Sequence, residues 1–220
     1  MLVVIGPASV ILAPLIPNLT ADEVLGFIAL TFGGIVGLLI LLFGEHSGAV
    51  FNPAITLGAT IAKTLQSKYF VPYLIFQITG GLVAGLTLRG LFYSISSPTD
   101  LGSTKLASGV TPFLGIVLEA GGTFVLTASA LLASSRLSKK KFQGLLVGLT
   151  LFLLILLIGP ITGAGFNPAR SIGPSVASDH FQNLWVYIVG PTLGGTLAGL
   201  VFRGFSNARS KSKLNIVCVC

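Results

Sequence analysis

The chain is dominated by long runs of apolar residues that are separated by short polar linkers. A helix needs about 20 apolar residues to cross the hydrocarbon core of a bilayer, so each run predicts a membrane-spanning helix. The first run contains Pro7 and Pro14 and barely reaches that length. The pattern predicts an all-α integral membrane protein with six transmembrane helices. The runs cover about residues 1–16, 22–44, 69–93, 111–134, 141–160 and 184–204.

Two nearly identical octapeptides follow long apolar runs: SGAVFNPA at 47–54 and TGAGFNPA at 162–169, 115 positions later. Asparagine is a favoured N-cap and proline a favoured first helical residue, so Asn52-Pro53 and Asn167-Pro168 each predict the start of a short helix inside the membrane. Unsatisfied backbone groups are costly in hydrocarbon, and a chain that enters without crossing must therefore line a polar cavity. Two such re-entrant segments predict a pore.

A second similarity extends this internal repeat. GGLVAGLTLRGLF at 80–92 resembles GGTLAGLVFRGF at 194–205, at an offset of 114. Three spans and one re-entrant segment in each copy make the repeats inverted, which places a site at the midplane between them. We expect a single channel domain over 1–220, with repeats at about 1–98 and 107–206, a polar hinge at 94–110 and a basic tail at 207–220. Four glycines of the similar segments are predicted to pack helices closely: Gly80, Gly81, Gly194 and Gly195.

Composition and charge narrow the class of protein further. With 53% hydrophobic and 9% charged residues, the chain has too little polar surface for a water-soluble protein. The net charge of +7 would suit a nucleic-acid partner, but the basic residues cluster on alternate loops, and Lys105 alone is expected opposite them. This asymmetry predicts a multi-pass protein of the cell membrane with its C-terminus and basic loops in the cytoplasm, and no nucleic-acid partner. The clustered residues are Lys63, Lys68, Arg136, Lys139, Lys140, Lys141, Arg203, Arg209, Lys211 and Lys213.

The segments SGAVFNPAITLG and TGAGFNPARSIGP resemble the two signature loops of the aquaporins, also called major intrinsic proteins. The resemblance covers nearly the whole chain. It implies six helices and two half-helices, one pore per subunit, a homotetramer in the lipid bilayer, and passage of water and small uncharged solutes. The implied pore motifs are Asn52, Pro53, Ala54, Asn167, Pro168 and Ala169.

The resemblance also implies a selectivity filter of Phe32, Ile155, Ala164 and Arg170, which is similar to the filter of archaeal aquaporins. Isoleucine in place of the usual histidine removes a polar partner for water, and alanine leaves room beside Phe32. We therefore expect a water channel that also passes small neutral solutes such as glycerol and excludes ions and protons. An aquaglyceroporin-like facilitator of solutes or dissolved gases is the alternative.

Glu119 matches the family's helix 4 glutamate, which accepts hydrogen bonds from backbone donors of the second loop. Its counterpart in the first helix is missing, as if the chain began midway through that helix. Either a segment upstream is absent or another residue, such as Glu45, supplies the bond.

His46 is expected to be a loop residue, with gating by protonation as the alternative, and His180 is expected to be a surface residue. Phe51 and Phe166 are predicted to seat the half-helices.

Proteins of other classes also use half-helices at the midplane. An ion-coupled secondary transporter needs titratable groups there, whereas only Arg170 and Glu119 are charged in this region. A structural membrane protein is the remaining alternative. The sequence contains no nucleophile, base or metal-ligand cluster, so we predict no enzymatic activity, cofactor or metal. Cys218 and Cys220 lie in the basic tail, where lipidation is an open alternative.

Overall fold

The structure is a computed structural model that describes the backbone of residues 1–217 and the side chains of 1–96 and 99–206. The described residues form eight α-helices and no strand. Short 3-10 turns occur at Ala13–Leu15, Ser67–Tyr69 and Ser97–Gly102. The helices are α1 (Leu2–Leu12), α2 (Ala21–Ser47), α3 (Pro53–Ile61), α4 (Phe70–Phe92), α5 (Pro112–Arg136), α6 (Lys140–Thr162), α7 (Pro168–Ser178) and α8 (Val186–Val217).

Five of the helices, α2, α4, α5, α6 and α8, are long and apolar enough to cross a membrane. Their outward faces carry large apolar side chains, among them Leu30, Phe76, Phe113 and Leu157, which are well exposed. A continuous apolar exterior of this kind is compatible with hydrocarbon and not with water. The expected all-α membrane protein is confirmed.

The first span is shorter than its apolar run suggests. The run over residues 1–16 predicts a full crossing, but α1 has 11 residues, which corresponds to a length of about 16 Å. Pro14 lies in the 3-10 turn that follows α1, and a proline interrupts the hydrogen-bond ladder of an α-helix. The helix α1 therefore covers only about half of a hydrocarbon core that is about 30 Å thick.

The order of elements occurs twice along the chain. In α1–α4 and again in α5–α8, two spans are followed by a short helix and then by a further span. The short helix α3 packs against α8, and α7 packs against α4. Each half-helix is therefore held by the last helix of the other half of the chain.

Small residues bring these helices into backbone contact. A Cβ added to Gly81 of α4 would lie 2.5 Å from the carbonyl oxygen of Ala169 in α7. A Cβ on Gly195 of α8 would lie 2.3 Å from the carbonyl oxygen of Ala54 in α3. Gly194 is equally tight, but a Cβ on Gly80 would meet nothing within 4 Å. Gly80 faces away from the half-helix, so the expectation that it packs a helix is wrong.

The loops define two faces of the molecule. The upper face carries loops 13–20, 93–111 and 179–185, and the basic face carries loops 62–69 and 137–139. Arg89, near the end of α4, donates through Nη1 to the carbonyl of Ala177 in the last turn of α7, and therefore belongs to the upper face. The expectation that Lys105 is the only basic residue there is wrong, because Arg89 binds a helix C-terminus.

A pair of adjacent glycines tests this packing. We expect Gly81→Ala to destabilise the protein by about 1–3 kcal/mol, because the added methyl group overlaps the backbone of α7. Gly80→Ala is the matched control and should be neutral or slightly stabilising, because alanine is the better helix former. The measurement is the midpoint of thermal unfolding of each variant in detergent, with size-exclusion chromatography as the readout of the folded fraction. Equal midpoints would contradict the packing.

Candidate functional site at the meeting point of the half-helices

The two half-helices begin with the same capping geometry. Asn52 Oδ1 accepts a hydrogen bond from the backbone N–H of Ala54 over 2.9 Å, and Pro53 is the first helical residue. Asn167 Oδ1 accepts from the backbone N–H of Ala169 over 3.0 Å, with Pro168 in the first position. Each asparagine satisfies an N–H group that has no partner within its helix.

The same two asparagines join the half-helices to each other. Asn52 Nδ2 donates to the carbonyl oxygen of Phe166 over 2.8 Å, and Asn167 Nδ2 donates to the carbonyl oxygen of Phe51 over 2.9 Å. Both asparagines are about 95% buried. Each amide has a second N–H, and both residues line the same cavity. The N-termini of α3 and α7 thus face each other across a reciprocal pair of hydrogen bonds.

The chain enters each re-entrant segment through two left-handed residues. Gly48 and Ala49 have φ angles of 69° and 51°, and Gly163 and Ala164 have φ angles of 75° and 47°. Glycine adopts this conformation freely, whereas alanine does so at a cost of about 1–2 kcal/mol. The strain recurs at equivalent positions, because both segments must reverse direction before their half-helices begin.

Arg170 follows the second asparagine turn and is 4% exposed. Its Cζ lies 5.0 Å from the centroid of the Phe32 ring, and its Nη1 donates to the carbonyl oxygen of Gly102 over 2.8 Å. Gly102 belongs to the polar linker 94–110, which was expected to be a hinge. The linker instead packs against α1, α4 and α7, with Leu101 almost fully buried, and supplies a backbone acceptor to the buried guanidinium.

The predicted filter residues lie close together but differ in exposure to the cavity. Phe32, Ile155 and Ala164 belong to one buried apolar cluster. Phe32, Ala164 and Arg170 line the cavity that also contains both asparagines, and Ile155 is not among the residues that line it. Ile155 is 4% exposed within this cluster.

Glu119 is fully buried in α5, and its carboxylate accepts three hydrogen bonds from the second re-entrant segment. Thr162 Oγ1 donates over 2.7 Å, and the backbone N–H groups of Gly165 and Phe166 donate over 2.9 and 2.7 Å. A buried carboxylate is tolerated when its oxygens are hydrogen-bonded in this way. Glu119 therefore satisfies donors that the irregular backbone leaves without helical partners.

The first re-entrant segment is supported differently. Tyr73 Oη donates to the Ser47 carbonyl over 2.5 Å, and Gln77 Nε2 donates to the Val50 carbonyl over 2.7 Å. Among the described residues Glu45 is exposed and makes no side-chain hydrogen bond, so it does not supply the bond considered for it. These two hydrogen bonds from α4 were not predicted from the sequence.

A sequence signal for one of these supports exists. Tyr73 and Tyr187 are 114 positions apart, the offset that relates the two glycine-rich segments. Tyr187 Oη donates to the carbonyl of Thr162 over 2.6 Å, as Tyr73 Oη does to Ser47. No such repeat marks Gln77, because the equivalent position in α8 is Pro191.

A cavity of about 220 Å³ passes between the half-helices. Its lining residues extend from Phe32 and Arg170, near the upper face, past the two asparagines to Leu65 and Gln143 near the basic face. Phe51 and Phe166 both line it, and the ring of Phe166 is fully buried against Gly122 of α5. The cavity is thus mostly apolar, with polar groups at its middle and upper end.

The remaining candidate residues lie away from this cavity. His46 is exposed in the last turn of α2. His180, expected to be a plain surface residue, places Nδ1 3.1 Å from Asp100 Oδ2, and its side chain is only 21% exposed. Within the part of the chain that the structure describes, no group of three or more His, Cys, Asp or Glu residues is placed to hold a metal ion. Cys218 and Cys220 lie outside the described residues, as do the side chains of the tail 207–220.

The fold and the site define a helical membrane protein in which two half-helices meet at a pair of buried asparagines. Comparison with known proteins identifies the family. The sequence model of the family described as "Major intrinsic protein" matches residues 1–202, and the chain belongs to this family.

Curated relatives are similar over most of this chain. Probable aquaporin NIP4-2 of Arabidopsis thaliana is 36% identical over 177 residues, which are 80% of this chain and 61% of that protein. Aquaporin-1 of Canis lupus familiaris is 36% identical over 178 residues, 80% of this chain and 65% of the relative. Aquaporin-1 of Homo sapiens is 35% identical over 201 residues, 90% of this chain and 74% of the relative. The chain thus spans somewhat less than two thirds of the length of the first two relatives.

A solved structure has the same fold. The aquaglyceroporin from Plasmodium falciparum superimposes with a TM-score of 0.80 over 92% of this chain and 90% of the other, at 21% sequence identity. At this identity the comparison concerns the fold alone.

Removal of the buried carboxylate tests the support of the second re-entrant segment. In Glu119→Gln an amide N–H₂ replaces one acceptor oxygen and faces backbone donors, which leaves at least one donor unsatisfied at a cost of about 1–3 kcal/mol. We expect a lower midpoint of thermal unfolding in detergent. Glu45→Gln, at an exposed carboxylate, is the matched control and should unfold like the wild type. A wild-type midpoint for Glu119→Gln would contradict the assignment.

Proposed function

We propose that this protein is a passive channel for water that also admits small neutral solutes such as glycerol. The observation that carries the proposal is the reciprocal pair of bonds between Asn52 and Asn167 and the opposite carbonyl groups, beside a cavity that they line. The second N–H of each amide is available to bind the oxygen of a passing molecule. The names of the relatives, which are aquaporins, agree with this proposal.

Exclusion of ions follows from the charges around the cavity. Each half-helix N-terminus carries a partial charge of about +0.5, and the two face each other. Arg170 adds a full positive charge at the upper end of the same cavity. A cation or a hydronium ion would meet this field after losing its hydration shell, whereas a neutral molecule would not. We propose that conduction is electrically silent.

The predicted filter favours a less polar constriction than a strict water filter has. Phe32 and Ala164 line the cavity beside Arg170, and Ile155 adds a hydrocarbon side chain to the same buried cluster. No side chain beyond Arg170 among these four offers a hydrogen bond. An aquaglyceroporin-like facilitator of solutes or dissolved gases is the alternative within the same class of channel.

The two functions of another class have less support. An ion-coupled transporter needs a titratable group that is free to bind its ion. Glu119 already accepts three hydrogen bonds, and Arg170 is bonded to Gly102. A structural membrane protein would not need an open cavity lined by both asparagines. A catalytic role is not supported either, because the family consists of channels.

Three further features are proposed with the channel. The basic face lies in the cytoplasm of a cell-membrane protein, because Lys63, Lys68, Arg136 and Lys139–Lys141 lie there. The chain is a single channel domain of two inverted repeats at about 1–98 and 107–206. The assembly is a homotetramer with one pore per subunit.

The filter assignment predicts opposite effects of two substitutions. Ile155→His should lower glycerol uptake several-fold with little loss of water flux, because a polar imidazole, unlike the buried isoleucine, would turn toward the cavity, narrow it and offer water a hydrogen bond. Arg170→Val should raise glycerol uptake and admit protons, because the fixed charge is lost. Stopped-flow light scattering on proteoliposomes, with a sorbitol step and then a glycerol gradient, measures both fluxes against empty vesicles. Unchanged glycerol uptake in Ile155→His would contradict the assignment.

A further inference from the structure

The linker residue that binds Arg170 lies at the end of an unusual turn. Asp100, Leu101 and Gly102 are three consecutive left-handed residues, with φ angles of 43°, 56° and 72°. The first two are not glycine, and such a conformation persists only where the surroundings impose it. The turn is therefore held in place by contacts outside its own backbone.

Two of these contacts are packing contacts. Leu101 is 1% exposed and packs in a cluster with Ile11, Leu88 and Ala177. A Cβ added to Gly102 would lie 2.8 Å from the carbonyl oxygen of Pro7, so the turn is pressed against α1. These contacts fix the depth of the turn above the half-helices.

The third contact is ionic. The Asp100 carboxylate is paired with Lys105 Nζ, and the same oxygen lies 3.1 Å from Nδ1 of His180. His180 follows the C-terminal end of α7, the helix that carries Arg170 near its start. We call Asp100, Lys105 and His180 the Asp100 clasp. It joins the linker to the segment that follows α7.

The turn delivers one group to the site. The carbonyl oxygen of Gly102 is the acceptor for Arg170 Nη1, while Nε of the same guanidinium has no partner among the described residues. The position of a largely buried arginine therefore depends on a backbone group two residues from Asp100. Arg170 also lines the cavity, so if that carbonyl moves the guanidinium is free to turn into the cavity.

We propose that Asp100 is a positioning residue of the selectivity filter: held by Lys105 and His180, it keeps the Gly102 carbonyl where it binds Arg170 against the wall of the pore. The inference rests on the proposed channel function. Without the clasp the turn relaxes, Arg170 moves into the passage, and water permeability falls. The Asp100 clasp thus sets how open the filter is.

Asp100→Asn is the test variant, because asparagine tolerates the left-handed conformation and removes only the charge. Asp179→Asn is the matched control: Asp179 is also left-handed, with a φ of 58°, and adjoins His180 outside the clasp. His180→Gln removes one partner of the Asp100 carboxylate. The measurement is osmotic water permeability per reconstituted channel in proteoliposomes, with the same pH on both sides.

We expect Asp100→Asn to lower water permeability about two- to five-fold, the range of a partly exposed ion pair. Asp179→Asn should conduct water like the wild type, because it leaves the Asp100 clasp intact, and His180→Gln should lower permeability in the same direction as Asp100→Asn. A wild-type permeability for Asp100→Asn or for His180→Gln would overturn the proposal. If Asp100→Asn does not reconstitute, the comparison of the wild type with His180→Gln decides. A wild type that conducts no water would instead refute the channel function.

Discussion

The structure depends on how an interrupted backbone is satisfied within the thickness of a membrane. Hydrocarbon offers no hydrogen bonds, and two half-helices that begin inside it expose free N–H groups at their starts and free carbonyls just before them. Asn52 and Asn167 solve both problems at once, since each caps its own helix through Oδ1 and binds the carbonyl that precedes the other helix through Nδ2. The two re-entrant segments are therefore mutually dependent.

The surrounding helices hold this junction in place. Each half-helix packs through glycine contacts on the last helix of the other half of the chain, so the two halves interlock. The polar supports are not symmetric: a buried carboxylate, Glu119, serves the second segment, whereas Tyr73 and Gln77 of α4 serve the first. Arg170, which follows the second asparagine turn, places a positive group at the upper end of the cavity.

Much of this arrangement was predictable from the sequence, because its signals are local. Apolar runs predict spans, and an Asn-Pro pair predicts a helix start, so the half-helices at Asn52 and Asn167 could be placed from the repeat alone. The length of α1 could not, since its end depends on a 3-10 turn containing Pro14. The family resemblance identified Arg170 as a filter residue, a role that stays a prediction.

Contacts between residues far apart in the chain could not be predicted from the sequence. Arg170 has no acidic residue near it in the chain. Its partner is the backbone carbonyl of Gly102, 68 positions away, and a backbone acceptor leaves no signal in the sequence. The linker was taken for a hinge because its composition is polar. Its function in the fold depends on the strained turn at Asp100 and Leu101, whose left-handed backbone is not encoded by a glycine.

We propose that the facing half-helix termini and Arg170 admit water and exclude charged species. The most direct test follows water and proton flux in the same proteoliposomes, with an osmotic step read by light scattering and a pH gradient read by an internal dye in the presence of valinomycin. The account predicts water flux well above that of empty vesicles and proton entry equal to theirs. Proton entry that rises with the amount of protein, or water flux no faster than through lipid, would contradict it.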